Sequence, residues 1–244
     1  MEDIKKRAAI LTGASSGIGC AISQRLTALG YEVFGIGRHF KEAASFDDPS
    51  FHPIVCDVMD TQKLCGCVKM IAAEWPVHVL VNNAGVGYYG LHEELNPQKI
   101  RELVRTNLEA PMILTQQLLR HLKKQKGYVI NVSSVTAGAS NPHGCAYGAT
   151  KAGLSSFSRS LFDETRKYGV KAVTISPDMT DTALYRNADF ATGDEPESYL
   201  LPKEVADAVE YVLAQRDGLV VTELALRPQL HRIKRKSNQQ ISGK

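Results

Sequence analysis

The sequence predicts an α/β protein with a doubly wound parallel sheet of about seven strands and helices on both faces. Short apolar runs typical of buried strands alternate with longer segments of helical periodicity. A glycine-rich turn joins the first strand to the first helix, and no repeat or linker divides the chain. Regular alternation of strands and helices favours a parallel sheet between two helix layers.

The element boundaries follow the apolar runs and the helix start signals. We predict strands over 8–12, 31–36, 53–56, 78–82, 127–132, 171–176 and 219–221. We predict helices over 17–29, 61–74, 97–123, 146–168 and 203–214. Pro97 and Pro202 support two of the helix starts, because proline suits the first turn of a helix.

The turn after the first strand is suited to a phosphate group. Glycine lets the backbone approach a pyrophosphate closely, and the following helix N-terminus offers free N–H groups. Its GxxxGxG spacing differs from GxGxxG, and no Lys-Ser/Thr pair ends it as in a P-loop. A tight turn alone is the alternative, but the flanking strand and helix favour a dinucleotide site in a Rossmann-like fold. The candidate contacts are Thr12, Gly13, Ser15, Ser16, Gly17, Ile18 and Gly19.

The end of the second strand predicts which dinucleotide binds. In dinucleotide folds an acidic residue here holds the ribose 2′-OH of NAD, whereas arginine accommodates the 2′-phosphate of NADP. This chain has Gly37, Arg38 and His39 and no carboxylate at that place. We therefore expect NADP(H), with Arg38 at the phosphate; an arginine that only caps a surface loop is the alternative.

Tyr147 and Lys151 form a candidate acid/base pair. Four residues apart in the run YGATK, they lie one turn apart on one helix face. A nearby ammonium favours the phenolate and lowers the pKa of a tyrosine, which is ~10 when free. Ser134 ends the strand VINVSS, where it can donate a hydrogen bond to a reacting oxygen, and alternation sends Ser133 to the other face. A Tyr–Lys pair taken alone is also common on solvated helices.

With these residues placed, the chain resembles the short-chain dehydrogenase/reductase family over about 6–228. The resemblance rests on TGASSGIG at 12–19, the pair Asp57-Val58, the run Asn82-Asn83-Ala84-Gly85, and the ordered set Asn107, Ser134, Tyr147 and Lys151. It implies that this last set is a catalytic tetrad, in which Asn107 holds a water that links Lys151 to solvent. It also implies cofactor contacts from Asp57, Val58, Asn83, Ala84, Gly85, Tyr147 and Lys151.

The chain departs from the family after the sixth strand. The family has Pro-Gly, an apolar residue and a threonine, whereas this chain reads Pro177-Asp178-Met179-Thr180-Asp181-Thr182. The resemblance implies that Pro177, Thr180 and Thr182 contact the cofactor. Aspartate tolerates glycine-like backbone angles poorly, so Asp178 is expected to reshape this end of the site and to face a polar or cationic substrate. Residues 183–201 are expected to close over the substrate and to set specificity.

Composition places the chain among globular cytoplasmic proteins. It has 244 residues, with 43% apolar and 23% charged, so we predict one NADP-binding domain over 1–230. No apolar run approaches the ~20 residues of a membrane span. Five cysteines without a secretory signal indicate reduced thiols, and no zinc spacing is present, so no metal is expected.

The segment 231–244 is expected to be a basic, disordered tail. It carries five Lys or Arg and no acidic residue. Such a segment is usually a solvated end, although it can bind anionic lipid, an acidic carrier or nucleic acid, of which nucleic acid is not expected here.

These features together predict an NADP(H)-dependent reductase of a small ketone or aldehyde, reversible as an alcohol dehydrogenase. The passage 83–94 is similar to carbonyl- and hydroxysteroid-type reductases. Two alternatives stay open: a reductase of carrier-bound 3-oxoacyl substrates, and a non-catalytic protein that senses NADP(H) or acts as a scaffold. The resemblance implies a homodimer or homotetramer that pairs through the helices 97–123 and 146–168. Both helices carry apolar stripes, part of which must pack on the sheet in any case; the members are Leu103, Leu108, Ile113, Leu114, Leu154, Phe157 and Leu161.

Overall fold

Seven parallel strands form the central sheet of the computed structural model, which describes residues 7–40 and 47–236. Two further strands form a separate small sheet. In chain order all the strands are β1 (Ala8–Thr12), β2 (Glu32–Gly37), β3 (Phe51–Val55), β4 (Val77–Asn82), β5 (Tyr128–Val132), β6 (Lys171–Pro177), β7 (Phe190–Thr192), β8 (Glu223–Leu226) and β9 (Ile233–Arg235). The small sheet consists of β7 and β9. The large sheet has the order β3-β2-β1-β4-β5-β6-β8, with every neighbouring pair parallel. The predicted doubly wound, Rossmann-like fold class is confirmed.

Within the described residues, six α-helices connect these strands. They are α1 (Gly17–Ala28), α2 (Thr61–Glu74), α3 (Pro97–Val104), α4 (Ala110–Gln125), α5 (Cys145–Thr165) and α6 (Pro202–Leu213). The predicted helix over 97–123 contains a π-helical turn, Arg105–Glu109, between α3 and α4. No helix within the described residues is long and apolar enough to cross a membrane.

The strand side chains alternate between two apolar cores. Ala9 and Leu11 pack on the sheet face that is covered by α1 and α6. Ala8 and Ile10 pack on the opposite face, which α2, α4 and α5 cover. Because both faces are buried, the central strands read in the sequence as uninterrupted apolar runs.

The seventh strand of the sheet is not at 219–221, where the apolar run Leu-Val-Val predicts it. The strand is β8, four residues further along the chain. As the edge strand it has one neighbour, and its side chains alternate between exposed and partly buried. An alternating pattern such as ELAL marks such a half-buried strand better than an apolar run does.

The prediction of a disordered tail from residue 231 is wrong for 231–236. There β9 pairs antiparallel with β7 in a small second sheet that the sequence did not predict. The acidic stretch 189–197 offers partners for the basic residues of this segment, which explains why they are not simply solvated. Residues 237–244, the remainder of the predicted tail, and residues 1–6, the start of the predicted domain, lie outside the described residues.

The order of the strands positions a crevice. The chain moves outward from β1 to β2 and β3 on one side, and from β4 to β5 and β6 on the other. In open α/β sheets ligands bind outside the carboxyl ends of the strands at this reversal. The residues that follow β1 and β4 therefore form the floor of the candidate site.

Candidate active site

The glycine-rich turn forms a cradle that excludes side chains. Gly13 and Gly17 have φ angles of +68° and +52°, in the left-handed region, and a Cβ on Gly19 would lie 1.9 Å from the Gly13 carbonyl oxygen. Ser16 caps α1 without a side-chain hydrogen bond, so the first amides of α1 have no partner within the helix. Ser15, Ser16, Gly17 and Ile18 line the cleft above. Close backbone and unpaired donors fit a diphosphate.

Thr12 and Asn83 join the glycine-rich turn to the end of β4. The Thr12 hydroxyl oxygen accepts hydrogen bonds from the backbone amides of Asn83 and Ala84, both at 3.0 Å. The Asn83 side-chain amide donates to the carbonyl oxygens of Thr12 and Gly13 at 2.9 and 3.3 Å. Thr12 is buried and lies beneath the cleft rather than lining it, whereas Asn83, Ala84 and Gly85 line it.

Arg38, Asp57 and Val58, three of the expected cofactor contacts, line one end of the cleft, beside β2 and β3. Arg38 is exposed directly after β2. Asp57 follows β3, and one of its carboxylate oxygens accepts the amide of Met59 at 2.9 Å. An exposed guanidinium beside a half-buried carboxylate offers donors to a phosphate and an acceptor to a base or a ribose.

Tyr147, Lys151 and Ser134 meet at the other end of the cleft. Tyr147 and Lys151 of α5 are 5% and 4% exposed, and the Lys151 ammonium lies 5.8 Å from the centroid of the Tyr147 ring. Lys151 Nζ also donates a hydrogen bond of 2.9 Å to the carbonyl oxygen of Val132. Ser134 and Tyr147 share a side-chain hydrogen bond. The structure thus brings together three members of the predicted tetrad.

Burial, rather than the Lys151 charge, dominates the pKa of Tyr147. Burial raises the pKa of the Tyr147 phenol, and the hydrogen bond to Ser134 opposes this only in part. Burial also lowers the pKa of Lys151 to about 8. The prediction that Lys151 lowers the pKa of Tyr147 is therefore wrong for the protein alone. At neutral pH the phenol holds its proton, which is the form that a proton donor needs.

Asn107, the fourth predicted member of the tetrad, lies in the π-helical turn and does not line the cleft. Its side-chain oxygen accepts the amide of Val86 at 2.9 Å, and its nitrogen donates to the Val86 carbonyl and the Thr150 hydroxyl at 3.0 and 3.1 Å. Asn107 thus ties the segment after β4 to α5. A Cβ on Gly85 would lie 3.6 Å from Asn107 Oδ1 and 3.7 Å from Lys151 Nζ. Glycine there keeps open a space that both side chains border.

Ser133 points away from Ser134, as strand alternation predicts. The Ser133 hydroxyl contacts the Ser155 hydroxyl at 2.8 Å and donates to the Lys151 carbonyl oxygen at 3.0 Å. The Ser134 hydroxyl oxygen accepts from the amide and the hydroxyl of Thr136 at 3.2 and 3.0 Å. The proton of Ser134 is thereby left to donate toward Tyr147 or a substrate oxygen.

Asp178 lines the cleft, and its carboxylate is already paired within the protein. One carboxylate oxygen accepts the Met179 amide at 2.8 Å, and the other accepts from Arg227 at 3.2 Å. Among the non-glycine residues that the structure describes, only Lys126 and His143 have positive φ. The expected backbone conflict at Asp178 is therefore wrong, and Arg227 offsets its charge.

Three other residues of this segment also lie at the cleft. Pro177, Thr180 and Thr182 line it. A Cβ on Gly17 would lie 3.1 Å from the Thr182 methyl group, so Thr182 packs against the glycine-rich turn. The start of the segment 183–201 is thereby anchored on the cofactor side of the cleft.

An aromatic cluster, which the sequence did not identify, lies beside Tyr147. The ring of Tyr89 lies 5.6 Å from that of Tyr147, 6.1 Å from Tyr185 and 5.1 Å from Phe190. The neighbouring Tyr88 instead donates a hydrogen bond of 2.6 Å to Glu102. Tyr185 and Phe190 lie in a stretch of the sequence without periodicity, so no pattern could have placed them.

Other lining residues escaped the sequence analysis as well. Glu102, Thr106, Tyr185 and Arg186 border the cleft. Of these four, only Arg186 could have been suggested by the sequence, because it is a positively charged residue shortly after Thr182. Among the residues described, no group of three or more His, Cys, Asp or Glu side chains is placed to hold a metal ion, and all five cysteines are free.

A parallel sheet with a glycine-lined crevice and a buried Tyr–Lys pair defines the class of nucleotide-dependent oxidoreductases. The family model for short chain dehydrogenase matches residues 7–191. The chain therefore belongs to the short-chain dehydrogenase family of oxidoreductases.

Relatives span nearly the whole chain. An uncharacterized oxidoreductase of Staphylococcus epidermidis is 30% identical over 233 residues, covering 93% of this chain and all of that protein. The 3-oxoacyl-[acyl-carrier-protein] reductase FabG of Escherichia coli is 28% identical, covering 88% and 93%. The structure is similar to that of an alcohol dehydrogenase from Thermococcus sibiricus in complex with 5-hydroxy-NADP, with a TM-score of 0.81 and 26% identity over 93% of this chain and 97% of that one.

Proposed function

We propose that the protein is an NADP(H)-dependent oxidoreductase that interconverts a small ketone or aldehyde and the corresponding alcohol. The observation that carries this proposal is the buried cluster of Tyr147, Ser134 and Lys151 at the end of a glycine-lined cleft. Burying a lysine beside a tyrosine lowers stability, so the cluster indicates a chemical role.

Each residue of the site has a distinct role in the proposed reaction. The dinucleotide supplies the hydride when it is bound. Tyr147 donates its proton to the carbonyl oxygen in reduction, and its phenolate accepts a proton in oxidation. The raised pKa of Tyr147 keeps the phenol protonated at neutral pH, which is the form that reduction requires. Ser134 donates a hydrogen bond to the same oxygen, where negative charge develops. Lys151 binds a ribose hydroxyl, and Asn107 holds the backbone of Val86 beside it.

NADP(H) rather than NAD(H) is supported by Arg38. It is exposed at the end of β2 and lines the cleft, where an arginine suits a 2′-phosphate. The Thermococcus alcohol dehydrogenase, which is similar over 93% of this chain, is complexed with 5-hydroxy-NADP. A metagenomic short-chain oxidoreductase with 27% identity and a TM-score of 0.75 is in complex with NADP.

Titration with NADPH and with NADH, followed by reduced-nicotinamide fluorescence, tests this choice. We expect tighter binding of NADPH, and Arg38→Asp should weaken NADPH far more than NADH because only NADPH carries the 2′-phosphate. Arg235→Asp, which makes the same charge change outside the cleft, is the control. Equal losses for both dinucleotides in Arg38→Asp would contradict the assignment of NADP(H).

A second candidate substrate is a carrier-bound 3-oxoacyl group. The 28% identity to the Escherichia coli 3-oxoacyl-[acyl-carrier-protein] reductase favours it. Comparing kcat/KM for one 3-oxoacyl group on an acyl carrier protein and on a short thioester separates the candidates. A preference for the carrier form would favour this alternative, whereas equal values would favour small-molecule substrates.

The scaffold alternative and the cellular location stay predictions. A non-catalytic sensor of NADP(H) would bind the dinucleotide but would not reduce any carbonyl compound. Binding in the titration without turnover of carbonyl substrates would therefore favour this alternative. We retain the cytoplasm as the predicted location, since free cysteines suit a reducing compartment.

A further inference from the structure

The C-terminal part of the described chain binds the segment that borders the substrate side of the cleft. We call residues 230–236 the strap and residues 183–198 the lid. Strand β9 of the strap pairs with β7 of the lid over three residues. Beyond the strands, the Leu230 amide donates to the Glu197 carbonyl and the Lys236 amide to the Asp189 carbonyl, at 2.9 and 2.8 Å. The strap is thus hydrogen-bonded to the lid along its whole length.

The charges of the strap and the lid are complementary. Lys234 of the strap pairs with Asp194 of the lid at 2.8 Å, and Arg232 pairs with Glu195. These four side chains are between 43% and 77% exposed, so each pair adds little stability by itself. The ion pairs therefore show that the charges of the basic strap and the acidic lid are complementary, but they are not the contact that contributes most to holding the two together.

Lys236 makes the contact that contributes most. Its ammonium donates to the carbonyl oxygens of Tyr185 and Ala188 at 2.7 and 2.9 Å, and to that of Arg186 at 3.4 Å. An ammonium has three donors, and hydrogen bonds to charged groups are stronger than neutral ones. The three carbonyls lie at the end of the short helical turn Ala183–Asn187, where a cation is favoured. One side chain thus binds three carbonyls at the end of this turn.

The turn that Lys236 binds leads directly to the reactive tyrosine. The ring of Tyr185 contacts Tyr89 and Phe190, with centroids 6.1 and 5.6 Å away. Tyr89 in turn lies 5.6 Å from Tyr147. Leu184 and Arg186 of the same turn line the cleft. Any shift of the turn would therefore move the wall beside the proton donor.

We propose that the strap holds the lid against the substrate side of the cleft, with Lys236 as the positioning residue. The consequence for substrate binding rests on the proposed function. Loss of Lys236 frees the 183–187 turn, so that Tyr185 and Phe190 no longer present one wall to the substrate. We expect cofactor binding to be unaffected, because the hydrogen bonds and ion pairs described for the strap are made to the lid and not to the glycine-rich turn or Arg38.

Lys236→Met and Lys203→Met form a matched pair of variants for the test. Lys203 is exposed on α6, so its replacement makes the same chemical change away from the lid. Hydrogen exchange of peptides from the lid is measured by mass spectrometry, together with NADPH binding and with KM and kcat for a carbonyl substrate. Lys236→Arg serves as a rescue variant that keeps the charge and the donors.

We expect Lys236→Met to speed hydrogen exchange across 184–192 and to raise the substrate KM about tenfold, the effect of losing charged hydrogen bonds that order a binding wall. The Kd for NADPH and the exchange of α1 should stay at wild-type values, and Lys203→Met should change none of these quantities. Lys236→Arg should restore slow exchange in the lid and most of the KM.

The outcomes separate the two proposals. Unchanged lid exchange in Lys236→Met would overturn the strap, and so would faster lid exchange with an unchanged substrate KM. If the wild-type protein reduces no carbonyl compound while Lys236→Met still speeds hydrogen exchange in the lid, the proposed function is contradicted. The proposal that the strap holds the lid is then still supported. Truncation after residue 229 should reproduce the exchange result, whereas truncation after residue 236 should leave it at the wild-type level.

Discussion

Tyr147 carries the proposed chemistry at the scale of the single residue, and replacing its hydroxyl gives the most direct prediction. Tyr147→Phe removes the proton donor but keeps the ring that packs against Tyr89. We expect turnover to fall by about a thousandfold or more, the scale of general acid catalysis, with NADPH affinity within about twofold of wild type. Steady-state kinetics with fluorescence titration measure both. Wild-type rates in this variant would refute the mechanism.

Lys151 provides a second prediction at this scale, through stability. Its pKa in the folded protein is about 8, below the usual 10.5. Between these values the unfolded chain binds more protons, so the free energy of unfolding should rise with pH over this window. Below it, the buried ammonium costs stability, so we expect Lys151→Met to be more stable than wild type at neutral pH by on the order of 1 kcal/mol.

Urea unfolding of wild type and Lys151→Met from neutral pH to about pH 10 checks this expectation. The gap between the two proteins should narrow as pH rises through about 8, because the wild-type lysine then loses its charge. A constant gap would show that Lys151 does not titrate in this range. Lys203→Met, on the surface of α6, should follow the wild-type curve throughout.

The sequence supplied residue identities well and residue environments poorly. The spacing of Tyr147 and Lys151 placed both on one helix face, because that relation is local. The direction of the Tyr147 pKa shift was wrong, since it depends on burial under elements distant in sequence. The pairing of Asp178 could not be predicted for the same reason, because its partner Arg227 lies 49 residues further along the chain.

At the scale of the element, His78 on β4 makes the stability of the protein depend on pH. The side chain is 7% exposed and shares a hydrogen bond of 2.9 Å with the Tyr31 hydroxyl. Burial lowers the pKa of His78 to about 4, and the charges of Arg7 and Lys171 act in the same direction. The unfolded chain binds this proton near the usual 6.5, so stability is complete above that pH and is lost as pH falls toward 4.

We expect the free energy of unfolding to fall by about 2 kcal/mol between neutral pH and pH ~4 through this residue. In His78→Phe that slope should flatten, even if the loss of the Tyr31 hydrogen bond lowers stability overall. His92→Gln, on an exposed turn, is the control and should keep the wild-type slope. An unchanged slope in His78→Phe would show that acid instability arises elsewhere.

Strands buried on both faces were predicted most closely, whereas the edge strand β8 and the small second sheet were not predicted. The apolar runs of β1, β4 and β5 predicted those strands to within one residue, because both faces of each are buried. The edge strand β8 is half exposed and was misplaced, and β7 and β9 are three residues each and depend on one another. A strand that exists only through its partner leaves no periodic trace in the sequence.

At the scale of the whole molecule, the predicted association of two or more copies depends on which apolar side chains of the helices remain exposed. Of the predicted stripe, Leu103, Leu114, Leu154 and Leu161 are buried within the chain, so they cannot form an interface. The exposed apolar residues nearby are Val104 and Met112, at 41% and 37%. Between them Leu108 packs over α5, where a Cβ on Gly153 would lie 3.1 Å from its Cδ2 atom. This surface joins α4 and α5 and is where we expect a second copy to bind.

Light scattering coupled to gel filtration should therefore give a mass of at least twice 26.7 kDa for the wild-type protein. Met112→Glu should lower the mass toward that of one chain, because a charge buried in an apolar interface is costly. Met70→Glu makes the same change on α2, at a methionine that is 65% exposed, and should leave the mass unchanged. A wild-type mass of one chain would refute the oligomer, and equal effects of both variants would place the interface elsewhere.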